Sequence, residues 1–178
     1  MPPVISRGPL VALLLGASTL QSSSAQESAG APTSQGCTAP EHRQFDFWVG
    51  EWEVAHPAGK PAGRNRIEAI LGGCALRETW AGAGGSHGTS YNAWDRQRRR
   101  WHQTWIDDGG LVLRLEGGFA DGRMVLQGET LDSAGAAVLN RITWQETGPG
   151  AVRQLWEVSS DGGKTWSVVF DGRYRKQE

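Results

Sequence analysis

The chain has no apolar run long enough to cross a bilayer, no surplus of charge and very little cysteine or histidine. Its longest apolar stretch, Leu10 to Leu20, is broken by Gly16 and falls short of the roughly 20 residues a spanning helix needs. Lys+Arg total 18 against 19 Asp+Glu, for a formal net charge of -1, so no basic field draws the chain to nucleic acid or to an anionic membrane. The four histidines, His42, His56, His87 and His102, show no metal-ligand spacing. No G-x-S-x-G elbow occurs, neither cysteine has a partner for nucleophilic chemistry, and the glycine-rich Gly82 to Gly88 lacks phosphate-loop spacing. These absences leave no metal, no cofactor and no nucleic acid to expect. No stretch after Gly50 shows a helical period.

What is present begins with an export signal. Arg7 supplies a positive region, Leu10 to Leu20 an apolar core and Ser23-Ser24-Ala25 a small-residue cleavage site, which reads as a signal peptide over 1–25. Residues 26–36 are rich in Ser, Ala, Gly and Pro and read as a disordered leader. Residues 37–178 are then one domain of a size able to bury a core. Without a Leu-x-x-Cys lipidation site before Cys37, the mature chain is expected to be periplasmic or secreted, with no membrane insertion. Cys37 and Cys74 suit one disulfide in an oxidising compartment, or else two free thiols.

From Gly50 onward, short strand-like runs alternate with turn signals about every ten residues. Strands are expected near 51–55, 64–71, 74–81, 88–95, 100–106, 110–119, 123–131, 137–146, 151–159 and 165–174, with a short helical turn before the first. Loop lengths fix the pairing. Gly72-Gly73 sets Ile67 opposite Glu78, Arg96 to Arg99 sets Asn92 opposite Gln103, and a three-residue loop at Asp107 to Gly109 sets Trp105 opposite Leu111. Four-residue loops at Asp132 to Gly135 and at Thr147 to Gly150 set Arg141 opposite Leu126 and Gln154 opposite Thr143.

One face then collects seven of the nine tryptophans, Trp52, Trp80, Trp94, Trp101, Trp105, Trp156 and Trp166, while His102, Glu116 and Glu157 fall on the other. Sequential hairpins of this kind close most economically into an all-β, up-and-down antiparallel barrel of about ten strands, lipocalin-like or fatty-acid-binding-protein-like, with a sandwich as the alternative.

Polar Glu78, Asn92, Gln103, Arg141 and Gln154 share the tryptophan face, and such groups cost several kcal/mol if buried without partners. Two readings satisfy them: a closed network with Glu78 and Arg141 ion-paired, or a cavity for a small ligand. The second assigns Trp80, Trp94, Trp105 and Trp156 as walls and Glu78, Asn92, Gln103, Arg141 and Gln154 as polar contacts, with access near 56–62 and 82–87. Rival readings are an isomerase, cyclase or hydrolase using Glu78 and Arg141, and an interaction module presenting Arg98 to Arg100. The oligomeric state is left open.

"FDFWVGEWEV", "GRNRIEAILGGCALRETW", "YNAWDRQRRRWHQTWIDDGG" and "RQLWEVSSDGGKTW", spread over Cys37 to Tyr174, resemble an exported bacterial family, a domain of unknown function grouped with the calycin barrels. The resemblance implies that Gly50-x-Trp52 is the calycin G-x-W, with Arg173 or Arg175 over the tryptophan. The related nitrobindin-like barrels hold haem through a late histidine, and no histidine follows His102 here. "VSSDGGKTW", Val158 to Trp166, resembles a sialidase Asp-box, read here as a hairpin device with its tryptophan turned inward.

Overall fold

A computed structural model describes residues 37–178. The signal-peptide and leader assignments lie outside the described residues. Ten strands follow in order: β1 (Gly50–Ala55), β2 (Pro61–Ile70), β3 (Ala75–Gly82), β4 (His87–Asp95), β5 (Arg100–Asp107), β6 (Val112–Ala120), β7 (Arg123–Leu131), β8 (Ala137–Gly148), β9 (Ala151–Ser159) and β10 (Ser167–Lys176). Each pairs antiparallel with its sequence neighbours and β10 pairs with β1, so the sheet closes into a barrel with no free edge. The up-and-down barrel expected from the turn spacing is therefore the fold, and no described helix is long and apolar enough to cross a membrane.

Short 3-10 turns at Pro40–Arg43 and Asp46–Trp48 precede β1 and seal one end. Phe45 and Trp48 are fully buried there. Their rings stack at 4.9 Å, and Phe45 meets Trp101 and Trp144 edge-on at 5.6 and 5.2 Å. Two indoles of this plug find hydrogen-bond partners: Trp52 Nε1 donates to the Trp48 carbonyl at 2.9 Å, and Trp101 Nε1 donates to Gln44 Oε1 at 3.1 Å. Cys37 and Cys74 form the disulfide, tying the entering segment to the β2–β3 turn. Lys176, not Arg173 or Arg175, lies over Trp52, its Nζ 5.7 Å from the ring centroid. The reason is parity, because Gly172, Tyr174 and Lys176 share the inner side of β10 and leave the two arginines outside.

One hairpin loop departs from its expected length without moving any face. At β5–β6 the Asp107 carboxylate accepts from the amides of Gly109 and Leu111, which extends the loop and pairs Trp105 with Leu113. That shift is two residues, so the inward set survives.

At β7–β8 the change is one residue. Asp132 Oδ1 accepts from the amides of Ala134 and Ala136 at 2.8 and 2.9 Å, so Ala136 joins the loop and Leu131 pairs with Ala137. A single-residue slip turns the whole strand over. Asn140, Ile142 and Trp144 are consequently buried, and Arg141 and Thr143 face outward. A bulge between Glu146 and Gly148 then reverses parity again, which returns Gln154 and Trp156 to the interior.

Eight tryptophans belong to the interior cluster or pack on it, and Trp166 is the exception. Trp166 lies on the outer wall under the Arg141 guanidinium, 3.9 Å from its ring centroid, so the Asp-box tryptophan does not turn inward. The rest of that hairpin is the backbone-satisfying device expected. Asp161 Oδ1 accepts from the amides of Lys164 and Thr165 at 3.0 and 2.9 Å, and Ser159 Oγ accepts from that of Gly163 at 2.9 Å. These bonds, led by the one from the Thr165 hydroxyl, hold the Asp161 carboxyl well below the usual range.

Candidate functional site

The lumen above the aromatic plug holds a cavity of about 310 Å³. Trp80, Trp105, Trp156 and Phe170 form its walls, Leu113 and Ile142 add aliphatic surface, and Glu78, Gln103 and Gln154 reach it from separate strands. His56, Ala62 and Ser86 line it toward the β1–β2 and β3–β4 loops, the side from which access was expected. A larger concavity of about 780 Å³ runs along β1 and the strands beside it, lined by charged Glu53, Arg64, Arg173 and Arg175 with Tyr174 as its single aromatic residue. Of these two, the lumen combines several aromatic faces with buried polar groups, the composition that small-molecule sites favour.

Close backbone approach creates the wall. A Cβ on Gly88 would come within 2.3 Å of Trp105 ring carbons, and one on Gly63 within 2.7 Å of the Trp80 ring. These indoles lie flat over neighbouring strands because those strands present no side chain there. Trp80 meets Phe170 edge-on at 5.9 Å, and Trp156 Nε1 donates to buried Asn140 Oδ1 at 3.0 Å, which leaves its ring face for the cavity.

A continuous polar chain crosses the interior beneath these rings. Gln103 Nε2 donates to Asn92 Oδ1 at 2.8 Å, Asn92 Nδ2 to Ser90 Oγ at 2.9 Å, and Ser90 Oγ to Glu78 Oε2 at 2.6 Å. Asn65 Nδ2 donates to Glu78 Oε1 at 2.7 Å and to Tyr174 Oη at 3.2 Å, and Tyr174 Oη donates to Gln154 Oε1 at 2.5 Å. Glu78 is 4 % exposed, and among the described residues no Lys or Arg forms an ion pair with it. Burial therefore pushes its carboxyl up to about 7, against the opposing pull of the Ser90 and Asn65 hydrogen bonds. The same burial, with the Glu78 charge adding to it, raises the Tyr174 phenol well above its ordinary value.

Of the residues singled out in the sequence, Glu78, Trp80, Gln103, Trp105, Gln154 and Trp156 line one cavity. Asn92 stands one bond behind it, holding the Gln103 amide. Trp94 packs against the core and does not line the cavity. Arg141 is a correction: it lies outside, with Nε and an Nη of its guanidinium donating to Glu157 Oε2 at 3.2 and 3.0 Å, so no Glu78–Arg141 pair exists. At the arginine-rich tip, Arg98 is paired with Asp95 at 2.8 Å and Arg100 with Glu116 at 3.0 Å. Asn65, Ser90, Tyr174 and Phe170 complete the site. Asn65 shares strand parity with Ile67 and Ser90 with Asn92, both assigned inward, and for those two that was the available signal.

The Glu78 carboxyl makes stability depend on pH in a direction opposite to that of a salt-bridged acid. At low pH it is protonated in folded and unfolded chains alike and contributes no slope. Between its ordinary value of 4.5 and about 7 the unfolded chain releases the proton while the folded chain keeps it, so stability falls as pH rises. The loss should reach roughly 3 kcal/mol above that window. Urea unfolding at stepped pH is expected to show this decline in wild type and to lack it in Glu78→Gln.

No family model matches the chain, and no curated protein matches it.

Proposed function

We propose that this protein is an exported small-molecule-binding barrel, holding an apolar or aromatic compound with a polar end. The observation that carries this reading is the meeting of three indoles and a phenyl ring with Glu78, Gln103 and Gln154 around one cavity. Aromatic walls supply contact area, and the polar groups, held by Asn92, Ser90, Asn65 and Tyr174, fix orientation without reorganising. Export is supported by the residues ahead of the barrel and by the disulfide. The order of sequence blocks supports membership of the exported bacterial calycin group, whose role is itself undefined.

Tryptophan-fluorescence titration against a panel of lipids, aromatics and tetrapyrroles tests the reading, since three of the wall residues are indoles. Saturable quenching is expected with at least one class, and its loss in Gly88→Val, where the added side chain drives Trp105 into the cavity. A flat response to the whole panel would count against it.

A second reading has one observation in its favour: a carboxyl pushed up to about 7 in an aromatic pocket is poised for general acid or base work. The arginine once paired with it in that scheme is outside the barrel. Recovering the ligand unchanged after prolonged incubation separates binding from turnover.

A further inference from the structure

Resting on that reading, we propose that the polar end of the ligand is a cation, an organic ammonium seated against Glu78 and enclosed by the lumen's aromatic faces. Glu78 Oε1 and Oε2 each receive one hydrogen bond from the protein, from Asn65 and Ser90, and a carboxylate oxygen accepts two. Gln103 spends its Nε2 on Asn92 and Ser90, which leaves Oε1 as an acceptor at the cavity wall. Among the described residues the Gln154 Nε2 is an open donor, its Oε1 being taken by Tyr174, but the open valences on Glu78 and Gln103 are acceptors, and what those two groups call for together is a multiple donor.

An ammonium has up to three N–H bonds and no acceptor, which fits two carboxylate oxygens and an amide oxygen. The walls agree with that charge. The π faces of Trp80, Trp105, Trp156 and Phe170 carry negative quadrupoles that attract a cation, and the lining contains no Lys or Arg to repel it or to bind an acid in its place. A carboxylate or phosphate ligand would instead face Glu78 in a desolvated space, where like charges are costly. A neutral ligand would leave Glu78 protonated or its charge uncompensated.

The groups that face Glu78 make the pH response readable. β2 presents Asn65 and β4 presents Ser90, both uncharged; β5 and β9 present Gln103 and Gln154; β10 presents Tyr174, and His56 stands toward the mouth. Burial raises the Tyr174 phenol, so it stays neutral across the neutral range. In the empty barrel Glu78 is partly protonated near neutrality, and an arriving ammonium drives that proton off.

Isothermal calorimetry on the full chain with phenethylamine, phenethyl alcohol and hydrocinnamate tests the charge at constant ring size. The amine is expected to bind about tenfold or more tighter than the alcohol, with hydrocinnamate weakest. Amine affinity should rise several-fold from about pH 6 to about pH 8, with proton release at the lower pH seen as a dependence on buffer ionisation enthalpy. Glu78→Gln should abolish the preference for the amine over the alcohol. The wild-type pH dependence needs no variant, so it decides the matter even if Glu78→Gln folds poorly. Tighter binding of the alcohol or acid, or an amine preference that survives Glu78→Gln, overturns the cation and leaves the binding lumen standing. Silence from all three ligands at millimolar concentration, together with a flat fluorescence panel, overturns both.

Discussion

Replacing Trp144 with alanine is expected to destabilise the barrel by about 4 kcal/mol, measured as a shift in the urea midpoint at unchanged slope. Trp144 is fully buried, and its indole lies 5.3 Å from Trp48 and 5.2 Å from Phe45, so it forms the floor on which the N-terminal plug rests. Removing it takes away a large apolar area and leaves a hole that rings of this size cannot close by small shifts. Trp144→Phe should cost far less, because the Trp144 Nε1 has no hydrogen-bond partner among the described residues and phenylalanine removes that unpaired donor. If alanine and phenylalanine proved equally mild, the plug would not be a packed floor.

That residue marks the boundary of what can be read before a structure is in hand. The fold was legible, because turn signals at regular spacing specify ten strands and sequential hairpins close on themselves. The lumen was legible wherever loop length could be guessed, or guessed wrongly by two. Trp105 kept its face although its partner is Leu113 and not Leu111. β8 was illegible at the level of faces. The side chain of Asp132, by accepting from the amide of Ala136, adds one residue to a turn whose length composition alone does not set. The strand's own alternation was the neglected signal: Ile142 and Trp144 are the apolar pair, and Arg141 and Thr143 the polar one. Weighing parity within the strand above the count of loop residues would have placed Arg141 outside.

Breaking the Cys37–Cys74 bond is expected to cost about 4 kcal/mol, from the entropy regained by an unfolded chain released from a loop closed across 37 residues. The consequence in the folded state is local. The bond anchors the segment that carries Phe45 and Trp48, and the Arg43 guanidinium donates to the Gly73 carbonyl beside it. A Cys37→Ser, Cys74→Ser chain should therefore show a lower urea midpoint and faster amide exchange over Pro40–Trp48, while strands around the lumen keep their protection. Equal midpoints for the oxidised and substituted chains would mean that the plug holds itself. Ligand affinity should change little, since the cavity lies on the far side of the aromatic floor.

On the proposed function, the interior above this floor takes up a small molecule and is not a closed polar network. Native mass spectrometry of the full-length gene product purified from its own host measures that occupancy directly. The expected result is one small organic molecule per chain, released on collisional activation and absent after denaturation and refolding. A bare protein mass, unchanged by any compound in the panel, would contradict the claim.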